Sequence, residues 1–432
     1  MTYNDIIRKK RDGGELNETE INYLISGVVS GDIPDYQLSA FLMAVYFKSM
    51  TPEETAILTN AMANSGDTLD LSEFGELSAD KHSTGGVGDK TSLIVAPIVA
   101  SLGAVVAKMS GRALGHTGGT VDKLESIPGY KSELHPKEFI TQSKEIGIAL
   151  VGQSGHLAPA DKAMYALRDV TSTIESIPLI ASSIMSKKLA AGAHNIVLDV
   201  KFGSGAFMQK LEDARELASA MVDIGNRCGR RVRAVLSDMD TPLGYAIGNV
   251  LEVREAVDVL RGEGPDDLRE VAVTLAGVLV SLVRGITVDE GISLAREALA
   301  SGEAYAKFKE WISAQGGDIR FITAPELFGE APVCVEVKAD VSGYISKMNT
   351  EKIGLTSSRL GAGREKKGDI IDPLAGIMLK KKTGDKVEVG DTVAVLYTSS
   401  PELAADGVKS FASAFEITKE KPALRELISE II

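Results

Sequence analysis

The chain reads as a two-lobed α/β protein: a small all-helical domain, a large mixed α/β domain and a C-terminal α+β subdomain. Three patterns predict this. Residues 1–65 carry only helix signals. From about residue 79, short β-rich apolar runs alternate with helical stretches, as parallel β-α-β units require. From about residue 333, glycine-punctuated runs suggest short antiparallel strands.

Helices are expected over residues 4–10, 17–30 and 35–47. A fourth starts at Thr51, with Pro52 in its first position and Glu54 completing a capping box. Residues 64–79, rich in Ser, Gly, Asp and Glu, suit a connector. The apolar run 93–107 is long enough for a buried helix and then a short strand, with Gly103 breaking it. Buried strands are expected at 105–107, 148–152, 196–200 and 232–237. A helical patch at 157–192 interrupts the alternation. Packing it back on the N-terminal helices leaves a cleft between two lobes.

The expected division is therefore 1–65 with 159–192 for the helical domain, 79–155 with 195–330 for the α/β domain, and 333–432 for the C-terminal domain. Connectors 64–79, 152–159 and 189–194 are the hinge candidates. The run Lys380 to Lys382 reads as a solvated strand end, offset by Asp385 and Glu388.

With 432 residues, 44% of them hydrophobic, the chain has ample core for several domains. A net charge of −13 argues against nucleic acid as substrate, although a basic pocket can persist inside an acidic surface. Cys228 and Cys334 have no CxxC or His-linked spacing and read as reduced core thiols. The N-terminus is charged where a signal peptide is apolar, and no run approaches membrane-spanning length. The expectation is a cytoplasmic protein with no membrane partner.

The informative region is 80–130, where two clusters of glycine, hydroxyl and basic residues flank the apolar run. Glycines let backbone N–H groups turn towards a ligand, hydroxyls donate to oxygens and lysines supply charge, so two such loops could share one oxyanion. The first, KHSTGGVGDKTS at 81–92, differs from a nucleotide P-loop because Asp89 separates Gly88 from Lys90. The second is KMSGRALGHTGGTVDKLE at 108–125.

This second loop closely resembles the signature of the thymidine and pyrimidine-nucleoside phosphorylases. The likeness extends to 81–92, to YALRDVT and SSIMSKK in the helical patch, and to DVKFGSGAFM from Asp199. It spans essentially the whole chain and implies the nucleoside phosphorylase class II fold. The implied reaction is reversible phosphorolysis of pyrimidine nucleosides (uridine, deoxyuridine, thymidine), part of nucleoside salvage. Inorganic phosphate displaces the base, giving α-(deoxy)ribose 1-phosphate with inversion. Phosphate is the co-substrate, no organic cofactor is implied, and the implied assembly is a homodimer through the helical lobe.

On matching positions, the resemblance assigns phosphate binding to Lys81, Ser83, Ser92, Ser110 and Thr120, with Lys108 near enough in sequence to join them. Arg168, Ser183 and Lys187 match base-binding residues, with Arg168 and Lys187 also counted as catalytic. Tyr165, Ile180 and Phe207 match positions near base or sugar. Ser183 and Lys187 are four apart and share a helix face. His82 matches the residue that donates towards a ring oxygen, as a general acid or as a neutral donor. His116 reads as structural in its glycine turn, and His135, His156 and His194 as solvent-facing or capping.

Lys108 is the type found in the broad pyrimidine-nucleoside enzymes, where strict thymidine enzymes carry an apolar residue. Some broad members bind potassium, and the matching positions are Gly88, Lys90, Leu243, Ala246 and Glu255. Lys90 departs from the small hydroxyl usual there, and its ammonium could take the ion's place beside Glu255. Ala113, where glycine is common, is a milder departure. A strict thymidine phosphorylase, a phosphoribosyltransferase of similar fold and a non-catalytic pyrimidine- or phosphate-binding regulator stay open as alternatives.

Overall fold

The structure, a computed structural model, describes residues 1–113, 118–153, 155–364, 366 and 368–432. It begins with α1 (Tyr3–Arg11), α2 (Glu18–Ser30), α3 (Asp35–Lys48) and α4 (Pro52–Ala63). Thr51 and Glu54 form the expected reciprocal cap of α4. Glu54 also accepts Lys10 Nζ at 2.7 and 2.8 Å and the Leu16 N–H at 2.7 Å, so one buried carboxylate clamps α1, the turn before α2, and α4. Deleting either charge would strand the other in an apolar core, at about 3–5 kcal/mol.

The chain then forms β1 (Ala79–Ser83), α5 (Thr91–Ser101), β2 (Val106–Ser110), α6 (Thr120–Glu125), α7 (Pro136–Ile146) and β3 (Ile148–Gly152). Residues 91–100 of α5 are all buried, which explains why this helix has no polar stripe. Gly103, at φ +90°, turns the chain towards β2 as expected.

Next come α8 (Pro159–Val170) and α9 (Ile177–Ala190), which return to the helical lobe. Ala160, Met164 and Leu179 enter the core built by Ile6, Leu24, Phe41 and Leu58, and Thr59 Oγ1 donates to Ser182 Oγ at 3.0 Å. The three crossings between lobes lie side by side: Asp67 N–H donates to His156 O at 3.1 Å, Ala160 N–H to Ser65 Oγ at 3.2 Å, and Leu69 N–H to Ala190 O at 2.8 Å.

β4 (Asn195–Phe202), α10 (Leu211–Arg227) and β5 (Arg231–Asp238) complete the central layer. β1, β4 and β5 are parallel, and the parallel pair β2–β3 continues from β1 across a bridge from Ser78 to Val105. The carboxyl ends of these strands thus open on one edge, where parallel sheets bind ligands. Then follow β6 (Ala246–Ile247), α11 (Asn249–Leu260), α12 (Asp266–Arg284), α13 (Val288–Ala300), α14 (Glu303–Ala314) and short α15 (Arg320–Thr323). Among the described residues no single helix is long and apolar enough to cross a membrane, and α12, whose apolar residues pack in the core, bends 118° into α13.

The remaining elements are β7 (Val333–Lys338), β8 (Gly343–Met348), α16 (Thr350–Ser357), β9 (Gly376–Leu379), β10 (Lys386–Val387), β11 (Thr392–Thr398), α17 (Pro401–Ala412), β12 (Phe415–Thr418) and β13 (Ile428–Ile431). They build antiparallel sheets β10–β8–β12 and β6–β9–β11–β7. Two strands cross the division drawn from sequence. β6, within 195–330, joins a C-terminal sheet, while β13 leaves that region and pairs antiparallel with β5. Cys334 is exposed on β7, an edge strand with alternating burial, so it is not a core thiol. Lys382 is also not simply solvated: its ammonium reaches Asp267 at 2.5 Å and lies over the Tyr245 ring.

Asp238 closes β5 with Arg425 3.9 Å away, and burial followed by repulsion from Asp240 pushes its carboxyl up to about 6, from an ordinary 3.8. The folded chain thus holds this proton more tightly than the unfolded chain does. The group's contribution to stability is complete below 3.8 and lost as pH rises through about 6. Asp238→Asn should raise the Tm above that window, by on the order of 2 kcal/mol in stability, and give no gain below it; thermal melts across pH read this directly.

Candidate active site

The loop after β1 is held from beneath by buried charge. Lys81 Nζ donates to Thr91 Oγ1 at 2.6 Å and pairs with Asp199 at 3.2 Å. Thr91 Oγ1 donates in turn to Asp89 Oδ1 at 2.5 Å. Lys201, fully buried on β4, lies 3.0 Å from Asp199 and 3.9 Å from Asp89. Burial opposes ionisation of Asp89, but Lys201, Lys81 and Lys123 outweigh it and hold the carboxyl well below the usual range. Ser83, half-buried, accepts the Gly85 N–H at 3.1 Å, and Ser92 lies in the first turn of α5.

The second loop leaves β2 beside the first. Ser110 ends β2 and lines a cavity of about 610 Å³ with Met109, Gly111 and Arg112. Thr120 opens α6. Arg112 binds Asp122 and Glu125, Ala113 N–H donates to Asp122 Oδ2 at 2.8 Å, and Arg364 reaches Asp122 at 2.9 Å. Lys123 joins the loops, donating to Asp89 O at 2.7 Å while pairing with Glu252 of α11 at 2.8 Å. His116 lies outside the described residues.

Asp80, behind His82 on β1, is the junction of the site. Its Oδ1 accepts Lys108 Nζ at 2.9 Å and its Oδ2 accepts Lys188 Nζ at 2.9 Å. Burial disfavours the carboxylate, yet the two ammoniums prevail and keep it ionised far into acid. Lys108 also donates to Lys81 O at 2.5 Å, so two of its three donors are engaged by protein groups. Burial lowers Lys108 to about 8, with repulsion from Lys188 adding to it and Asp80 opposing. His82 is pushed well below its ordinary 6.5, first by burial and then by Lys188 and Lys108, which leaves a neutral imidazole at neutral pH.

The helical-lobe residues lie on α8 and α9. Lys187 Nζ donates to Asp161 Oδ2 at 2.6 Å and to Ser183 Oγ at 3.1 Å, so Ser183 and Lys187 share a face as their spacing predicts. Arg168 is buried and donates to the carbonyls of Thr173, Ile174 and Leu179 at 3.1, 2.6 and 3.0 Å, with Tyr165 5.9 Å from its guanidinium carbon. It therefore fixes the turn between α8 and α9, and among the described residues two of its N–H groups stay unspent. Ile180 is buried, and Tyr165 and Phe207 are exposed. His135 caps α7, accepting the Lys137 N–H at 3.4 Å.

Sequence reading missed Asp80, Asp161, Lys188, Lys201 and Glu252 of α11. Their partners are brought together by the fold, with no local spacing to signal them. The positions matched to potassium ligands hold a cation already. Lys90 Nζ donates to Leu243 O at 3.1 Å, Ala246 O at 2.7 Å and Glu255 Oε2 at 2.5 Å, from a side chain with no exposure. A Cβ on Gly88 would lie 2.5 Å from Leu243 O and 3.4 Å from the ammonium. This donor set does not fit a potassium ion, because the ammonium occupies the space among the oxygens.

Because burial, and then Lys188 and Lys108, keep His82 neutral, the pH profile of turnover should lack an inflection at the ordinary imidazole value. Lys188→Met removes one repelling charge and should move an acid limb upward towards neutrality. Rate–pH profiles of both proteins provide the measurement. An unmoved limb would detach Lys188 from His82.

Three family models match the chain: "Glycosyl transferase family, helical bundle domain" over residues 4–66, "Glycosyl transferase family, a/b domain" over 75–305, and "Pyrimidine nucleoside phosphorylase C-terminal domain" over 344–418. The pyrimidine-nucleoside phosphorylase of Staphylococcus haemolyticus is 53% identical over 414 residues, 96% of this chain and 95% of its own. That of Geobacillus stearothermophilus is 52% identical over 406 residues, 94% and 93% of the two chains. That of Staphylococcus aureus (strain USA300) is 54% identical over 414 residues, 96% and 95%. The crystal structure of anthranilate phosphoribosyltransferase from Thermus thermophilus matches with a TM-score of 0.58 at 21% identity, covering 72% of this chain and 98% of that one, which is a likeness of fold.

Proposed function

This chain belongs to the pyrimidine-nucleoside phosphorylase family, and we propose that it catalyses reversible phosphorolysis of uridine, deoxyuridine and thymidine. Inorganic phosphate is the nucleophile; the products are the free pyrimidine and α-(deoxy)ribose 1-phosphate. The observation that carries the reading is the Asp80 junction. It ties α9, the helix of Ser183 and Lys187, to the strand that presents Lys81 and His82.

Lys81, Ser83, Ser92, Ser110 and Thr120 are assigned to the phosphate. They lie at the carboxyl ends of β1 and β2 and the starts of α5 and α6, where hydroxyls, an ammonium and backbone N–H groups can satisfy a dianion. Lys108 adds positive charge from beneath, held in place by its bond to Asp80.

Phosphate is an adequate nucleophile, so the harder half is the leaving group. Breaking the bond to the pyrimidine nitrogen moves negative charge onto the ring carbonyls. Lys187 and Ser183 donate to that charge, with Asp161 holding the ammonium in place. Arg168 offers the N–H groups that its carbonyl partners leave over. His82, neutral, donates a hydrogen bond and not a full proton in the ground state. Tyr165, Ile180 and Phe207 supply apolar surface near base and sugar. Bending at the adjacent connectors brings the lobes together and excludes water, which would otherwise compete with phosphate.

The helical lobe is also the proposed homodimer surface. Tyr36 and Phe47 on α3 are 75% and 74% exposed, an unusual cost for aromatic rings on a monomer. A cytoplasmic location completes the proposal.

Purified protein should release uracil from uridine and thymine from thymidine only when phosphate is supplied. Cytidine should fail, because its amino group replaces the oxygen that Lys187 or Arg168 would contact. Release without phosphate, or none with it, overturns the reading. Lys187→Ala should slow turnover by roughly 100-fold, the scale for loss of a charge-stabilising donor, and steady-state kinetics check it.

A further inference from the structure

We propose that Lys90 is a positioning residue that replaces a free alkali cation with a tethered one, ordering the loop between β1 and α5 without any added monovalent ion. A primary ammonium has three N–H donors, and this one finds three oxygens, Leu243 O, Ala246 O and Glu255 Oε2. All three come from sequence more than 150 residues away, as the separations of 153, 156 and 165 record.

The receiving cradle is built independently of the lysine. Glu255 Oε1 accepts the Tyr245 and Ala246 N–H groups at 2.8 and 3.1 Å, which fixes the carboxylate towards the loop. Gly88 and Gly244, at φ +71° and +68°, let backbone close around the ammonium, and a Cβ on Gly244 would run into the Glu255 carboxylate. A second bond, Leu243 N–H to Val87 O at 3.1 Å, fastens the same loop to the same segment. The positive charge of Lys90 is matched by one carboxylate. A potassium ion added beside the ammonium would set two positive charges against that one carboxylate.

Tethering matters because Lys90 is the residue from which α5 starts, with Thr91 and Ser92 in its first turn and Lys81 bonded to Thr91. An ion in solution must be bound before that loop is set; a lysine is always there.

The kinetic half of this claim rests on the phosphorolysis reading, whereas the thermal half does not. The full-length wild-type protein should show the same Tm, and the same KM for phosphate, in potassium chloride and in tetramethylammonium chloride of equal ionic strength. Lys90→Thr uncovers the oxygens and leaves Glu255 unpaired. Its Tm should fall in tetramethylammonium and recover in potassium, rising with the logarithm of potassium concentration as for a ligand of the folded state. Its phosphate KM should rise roughly 10-fold or more without potassium, the scale of a displaced positioning contact, and return with it. Lys90→Met, which fills the space with an uncharged stem, should lose stability in both salts without rescue.

A wild-type Tm that climbs with potassium overturns the proposal, as does a Lys90→Thr protein indifferent to the salt. Should Lys90→Thr not fold in either salt, the wild-type comparison decides alone. If no phosphate-dependent base release is found, the phosphorolysis reading fails while the melts still judge Lys90.

Discussion

One buried carboxylate organises this molecule. Asp80 receives an ammonium on each oxygen, Lys108 from β2 and Lys188 from α9, so three elements meet at two hydrogen bonds of equal length. Removing Asp80 would leave two ammoniums uncompensated in the interior, a loss of several kcal/mol. The count is also unequal: two positive groups face one negative group. The surplus persists inside a protein whose net charge is −13, and it adds to the burial that holds His82 neutral. Packing and chemistry thus depend on the same contact.

A parallel arrangement supports the loops from the other side. α11 presents Glu252 to Lys123 and Glu255 to Lys90, one turn apart, and each lysine in turn grips the loop after β1 or its anchoring segment. The negative charge needed to keep these lysines buried is supplied from a helix outside the loops. Hydroxyls and backbone N–H groups of the loops are left for a ligand.

What was legible in the sequence follows from how local each signal is. The Thr51 cap, the helix and turn around Gly103 and the strand 148–152 are encoded within a few residues, and the structure has them where expected. The face shared by Ser183 and Lys187 follows from helical period alone. The pairs that orient the site are not local: Asp161 is 26 residues from Lys187, and Asp80 is 108 from Lys188. Nor does composition reveal that Arg168 would spend three donors on backbone carbonyls. The exposed Cys334, the crossing of β6 and the return of β13 to β5 are settled by edge pairing, for which short strands carry little sequence signal.

The threefold crossing between lobes has a consequence for modularity. Residues 4–66 match a helical bundle as one stretch, yet their core is closed by Ala160, Met164 and Leu179 from a segment almost a hundred positions downstream. Cut out alone, that stretch would bare an oily seam, and grafted onto another scaffold it would need its distant pair of helices as a companion piece. The lobes are therefore an interlocked set, and a single nick in one crossing leaves two others to keep them joined.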